Sequence, residues 1–115
     1  MLTRYFIGTF LTFLSLSLAA AEVNLYSSRK DILIVPLLEQ FEKQTGIEVN
    51  LITGKASALM SRIKSEGEAS PADLLITVDA GNLHRAKAEG LVQRVQSKLL
   101  ESRIPEALRD PQMHG

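Results

Sequence analysis

The strongest constraint in this sequence is an alternation between two apolar periods, extended and helical. Glu22–Ser27 reads EVNLYS, with apolar and polar residues in turn, the period-two pattern of a strand. Ile34, Leu37, Leu38 and Phe41 then recur at helical spacing, with Glu39, Gln40 and Lys43 pointing elsewhere. Ser28-Arg29-Lys30-Asp31 matches the S-x-x-D capping box that ties down the free amides of a helix start. Gly46 supplies the helix stop. Pro36 lacks an amide and crowds the preceding turn, so the helix is expected either to begin near Val35 or to kink there. Residues 47–53 (IEVNLIT) alternate again, and Gly54 breaks the strand. Residues 55–66 form a second helical pattern, with Ala58, Leu59, Ile63 and the stem of Arg62 on one side. After a loop at 67–71, residues 73–78 (DLLITV) form a near-continuous apolar run, as in a strand covered on both faces. That strand is expected to be the most buried element. Asp79 can cap a third helix over 80–89, which Gly90 ends. Residues 91–95 read as a short extended piece and 96–103 as a last helix, with turns from Pro105 onward.

Strand, helix, strand, helix, strand, helix predicts an α/β fold, a parallel sheet with flanking helices. Ligands of such sheets bind outside the carboxyl ends of the strands. Three strand-to-helix junctions therefore face the candidate site: residues 27–31, 53–57 and 77–81. Free amides and the helix dipole favour an anion at each. The candidate ligand or anion contacts are Ser28, Arg29, Lys30, Lys55, Thr77 and Asp79. Arg29 and Lys30 read as a clamp for an anionic ligand; the competing reading is a solvated pair on a helix turn. For Asp79 the helix cap outweighs a ligand contact.

Other motifs point away from chemistry. Gly54-Lys55-Ala56-Ser57 lacks the first glycine of a phosphate loop. His84 lies inside the third helix and reads as structural or surface, and His114 has no Cys, Asp or Glu at the spacing of a metal site. Tyr26 reads as core. No Ser-His-Asp set, catalytic carboxylate pair or H-E-x-x-H motif is present, so the chain does not read as an enzyme. Basic and acidic residues balance at 13 each, without a basic block, which argues against nucleic-acid binding. With no cysteine there is no disulfide, thiolate metal site or lipid-anchoring cysteine.

Residues 1–21 carry Arg4, an apolar run over 6–18 and Ala19-Ala20-Ala21, the layout of a secretory signal peptide. The apolar run is about a dozen residues, short of the ~20 that span a bilayer. Cleavage is expected after Ala21, leaving 22–115 in the periplasm with no membrane span.

Several segments together carry a family resemblance: Tyr26-Ser27-Ser28-Arg29, Thr45-Gly46-Ile47, Gly54-Lys55-Ala56, Ser70-Pro71-Ala72-Asp73 and Leu75-Ile76-Thr77-Val78-Asp79. Over residues 23–111 the chain resembles the periplasmic ferric-iron-binding proteins, also called iron-deficiency-induced protein A, that serve ABC transporters. The resemblance implies the N-terminal lobe of a two-lobed, type II-like periplasmic binding protein. It implies Fe(III) held in the cleft by hard oxygen donors with a synergistic anion such as carbonate, and an ABC transporter permease as partner. In the family the donors are typically tyrosine phenolates from the second half. Some members add a histidine, or a histidine and a tyrosine, in the loop after the first strand; Lys30 and Asp31 stand there in this sequence. What remains matches members that present arginine to the anion, which favours Arg29 and, after it, Lys30. Family members run on for roughly twice this many residues, as a chain too long for one core does. The expectation is thus a truncated solute-binding component: 22–115 as a partial N-terminal lobe, with the C-terminal lobe absent. The alternatives are an exported fragment with no ligand function, or a binder of another anion or metal complex.

Overall fold

The structure, a computed structural model, describes residues 20–115. The export signal expected over 1–21 thus falls almost wholly outside the described residues. Strand β1 (Glu22–Ser27) leads into helix α1 (Asp31–Thr45), then β2 (Glu48–Thr53), α2 (Ala56–Glu66), β3 (Leu74–Ile76), α3 (Ala80–Ala88) and α4 (Lys98–Arg103). Short 3-10 turns lie at Gly67–Ala69 and Glu106–Leu108. The strands form one parallel sheet in the order β2-β1-β3. The alternation of periods thus gives the expected α/β layout. Among the described residues, no helix is long and apolar enough to cross a membrane.

The sheet order corrects the expected centre of the core. The apolar run over 73–78 was expected to be the most buried strand, but β1 lies between its two neighbours and has both faces covered. Leu25 and Tyr26 are 2% and 1% exposed, whereas Leu74 is 55% exposed. Only Leu74–Ile76 of the run is strand. Among the described residues nothing pairs with its outer edge, and an apolar run is buried only where other elements cover it. Ile34, Leu59, Met60 and Ala86 complete the core from the helices. No strand forms over 91–95.

Helix α1 departs from its expected start and its expected face. Its N-cap is Lys30, which makes no side-chain cap bond, so the Ser28–Asp31 capping box does not form. Ser28 is instead still engaged with the sheet, donating its amide to the Ile76 carbonyl at 2.9 Å. Pro36 lies inside the helix, which runs through it to Thr45. Of the four apolar residues expected to face the core, Ile34 is buried, Leu38 is half-buried, and Leu37 and Phe41 are exposed, Leu37 by 60%. On α2, Met60 is buried and Ala58 is exposed, reversing part of that expected face as well.

The helix stop explains Thr45-Gly46-Ile47. Gly46 takes the left-handed conformation (φ 71°) and donates its amide to the Glu42 carbonyl. The Thr45 hydroxyl donates to the Phe41 carbonyl at 2.7 Å and accepts the Ile47 amide at 3.1 Å. Glu42 accepts the Val49 amide at 2.6 Å, fastening the helix end to edge strand β2.

A polar lock fastens the C-terminal segment. Asp110 accepts from the Lys87 ammonium at 2.6 Å and from the His114 amide at 3.0 Å, with the His114 ring Nδ1 3.1 Å away. The Lys87 hydrogen bond chiefly, with the His114 amide, lowers the Asp110 carboxyl from 3.8 to about 2. A carboxyl depressed on folding contributes stability above its unfolded value and loses it as pH falls through its folded value. Wild type is therefore expected to exceed Asp110→Asn in thermal stability at neutral pH. The gap should close between pH 3.8 and about 2, as followed by circular dichroism melts; a gap that stays constant across that window would show that the lock contributes nothing.

Candidate functional site

The parallel register gathers the three expected junctions at one edge. Ser27 lies opposite both Thr53 and Ile76. Beyond the last paired residues, the Gly54 amide donates to the Ser27 carbonyl at 3.2 Å and the Ser28 amide to the Ile76 carbonyl. Residues 27–31 are therefore flanked by 53–57 on one side and by 77–81 on the other.

Within that edge the six candidate contacts divide into two groups. Arg29, Lys30 and Lys55 are exposed, and among the described residues none of them forms an ion pair. Lys30 and Lys55 are the N-caps of α1 and α2, both in extended conformation and both without a side-chain cap bond. Both helices thus begin without a side-chain acceptor for their first amides, at the positive end of the dipole. Asp31 places one countering charge in the first turn of α1; α2 has none. Ser28 is half-buried, and its hydroxyl lies 3.5 Å from the Ile76 carbonyl.

Thr77 and Asp79 are occupied locally. The Thr77 hydroxyl donates to the Asp79 carbonyl at 2.8 Å. Asp79 caps α3, accepting the Asn82 amide at 2.7 Å and its side-chain NH₂ at 2.8 Å. The Asn82 amide, first among these donors, holds the Asp79 carboxyl below its ordinary value.

A second polar cluster braces the central strand away from this edge. The Tyr26 hydroxyl lies 3.0 Å from both Glu66 oxygens, which also accept from Arg62 Nε at 2.6 Å and the Ser70 hydroxyl at 2.7 Å. The Arg62 guanidinium stands 5.3 Å from the Tyr26 ring centre. Burial first, and then the Glu66 hydrogen bond, raise the Tyr26 phenol above its usual value. Tyr26 is thus a core residue, as its strand position suggested. Ser70-Pro71-Ala72-Asp73 has a structural reason as well, because Asp73 accepts the Asn24 amide at 2.8 Å.

Cavities of about 530, 370 and 270 Å³ lie elsewhere, and none is lined by any of the six candidates. Among the described residues no group of three or more His, Cys, Asp or Glu is placed to hold a metal ion. Sequence reasoning missed Ser27, a polar residue with no exposed surface. Its position at the end of a strand bounded by turn residues was the available signal.

Comparison with known proteins bears on what such an edge serves. Residues 25–113 match the model of the bacterial extracellular solute-binding protein family. The chain belongs to that family. It is a family of solute-binding proteins and not a class of enzyme. This solute-binding chain is 54% identical over 90 residues to iron uptake protein A1 of Synechocystis, covering 78% of itself and 25% of that protein. It therefore spans about a quarter of the length of the curated relatives it matches. Among solved structures it resembles a Trichodesmium protein in complex with iron and citrate, with 48% identity and a TM-score of 0.77 over 82% of this chain and 30% of that one. It resembles the ferric iron-binding protein A of Mannheimia haemolytica equally, at 47% identity and a TM-score of 0.77 over 82% of this chain and 29% of that one. The fold is accordingly a parallel sheet with flanking helices belonging to a two-lobed, type II-like periplasmic binding architecture.

Proposed function

We propose that this chain is part of the exported solute-binding component of an iron(III) ABC uptake system, and that its strand-end edge is an anion-holding wall of the ferric site. The observation that carries the reading is the convergence of Arg29, Lys30 and Lys55, which form no ion pair among the described residues, with two helix starts that lack a side-chain cap at one sheet edge. Such an edge suits an anion that accompanies a hard trivalent cation, through charge-assisted hydrogen bonds and the helix dipoles. Supporting it, the similar proteins carry names of iron uptake or ferric-ion binding. In this reading Arg29 donates in pairs to the anion, Lys30 and Lys55 add point charge, and Ser28 supplies a hydroxyl. Thr77 and Asp79 shape the third junction. Ferric ion is the cargo, and its oxygen donors come from elsewhere in the family fold. Residues 1–21 serve as the export signal, the periplasm is the compartment, an ABC transporter permease is the partner, and the chain performs no catalysis.

The test is a calorimetric and NMR titration with citrate and with ferric citrate, on wild type and Arg29→Ala. Loss of a charge-assisted pair, about 1.5–3 kcal/mol, is expected to weaken citrate binding by roughly ten- to a hundredfold. Citrate binding that ignores Arg29→Ala, or that perturbs the amides of other elements, would sink the assignment and favour another ligand or a fragment without one.

A further inference from the structure

Ser27 is the one buried polar residue among the described residues, with 0% exposure. A hydroxyl removed from water loses free energy unless it is hydrogen-bonded, so an apolar residue is the more stabilising choice at the end of a central strand. The hydroxyl here has a definite use. It accepts the Arg29 amide at 3.1 Å, closing a tight turn immediately beyond the sheet. The same residue's carbonyl accepts the Gly54 amide, and the next amide, from Ser28, donates to Ile76. The backbone is thus tied to both neighbouring junctions just before Arg29, and the hydroxyl extends that order to Arg29 itself.

We infer that Ser27 is a positioning residue, its buried hydroxyl fixing the backbone of Arg29 so that the guanidinium is held in place for an anion at the strand-end edge. The inference rests on the reading of that edge as an anion site. Ser27 touches no ligand; it acts through Arg29. A guanidinium on a fixed backbone loses less freedom on binding than one on a mobile loop, which is the gain of preorganisation.

The test uses the full chain, isotopically labelled, with citrate as the probe, in wild type, Ser27→Ala, Ser27→Thr, Arg29→Ala and the double variant Ser27→Ala with Arg29→Ala. Ser27→Ala is expected to speed hydrogen exchange at the Arg29 amide and to weaken citrate binding by about three- to tenfold. Ser27→Thr, which keeps the hydroxyl, is expected to retain both properties. The double variant is expected to bind no more weakly than Arg29→Ala alone, because Ser27 has nothing left to position. An unchanged Arg29 amide in Ser27→Ala overturns the inference. So does a double variant in which the two losses multiply, since Ser27 then acts independently of Arg29. If Arg29→Ala binds citrate as wild type does, the anion reading of the edge itself fails. If Arg29→Ala is weakened while Ser27→Ala is not, only the positioning role fails.

Discussion

Leu25→Ala is expected to destabilise the fold by about 2–5 kcal/mol, the range for emptying a packed leucine site, while Leu74→Ala stays within about 0.5 kcal/mol, as surface changes do. Leu25 and Leu74 are the same residue type on paired strands, directly opposite each other in register. They differ in cover: Leu25 is 2% exposed and Leu74 55%. Truncating the first removes its transfer free energy and leaves a cavity in the core, whereas truncating the second removes atoms already in water. Small domains have only about 5–15 kcal/mol in total, so the Leu25 variant is expected to lose a large part of its urea midpoint with an unchanged slope. Equal losses for the two variants would mean that β3 is as well covered as β1, and a larger loss for Leu74→Ala that β3 rather than β1 is the covered strand.

The contrast also shows what the sequence carries. Strand and helix order was legible because each element is a local pattern: EVNLYS and EVNLIT alternate, and Gly46 stands where the chain must turn left-handed. The site edge followed from a topological rule, since parallel strands have their ends together whichever strand is central. Strand order itself is not local. The DLLITV run suggested a doubly covered strand, but which strand has neighbours on both sides depends on pairing, and pairing placed β1 between β2 and β3. The capping box failed for a related reason: the Ser28 amide is held by Ile76, a residue distant in sequence, and α1 starts only after that bond is made. The inward face of α1 was mis-set because Ile34, Leu37, Leu38 and Phe41 fit more than one helix rotation, and the sheet selected the one that buries Ile34 and leaves Leu37 outside. Asp79 was the converse case, since its cap is satisfied within three residues and could be read directly.

Titration of this chain with ferric citrate is expected to give no stoichiometric coloured complex, and affinity weaker than micromolar, about −8 kcal/mol. Tight binding of a hard trivalent cation needs several oxygen donors converging on one point with matching charge. Of the two tyrosines in the sequence, Tyr5 lies outside the described residues. Tyr26 is 1% exposed, and its hydroxyl is engaged with Glu66. Burial and that carboxylate both disfavour the phenolate that a ferric ligand must become. The Glu66 carboxylate is itself taken up by Ser70, Arg62 and Tyr26, and Asp110 by Lys87 and His114. At the strand-end edge the residue capping α1 is Lys30, whose ammonium repels a cation, beside the single carboxylate of Asp31. On the proposed reading of that edge as an anion site, citrate alone and ferric citrate are expected to perturb the same amides near Arg29, Lys30 and Lys55, with similar affinity. The visible phenolate-to-iron charge-transfer band is the decisive readout. Its appearance at one equivalent of iron, with micromolar or tighter binding by calorimetry, would mean that the chain assembles a complete donor set and carries ferric iron by itself.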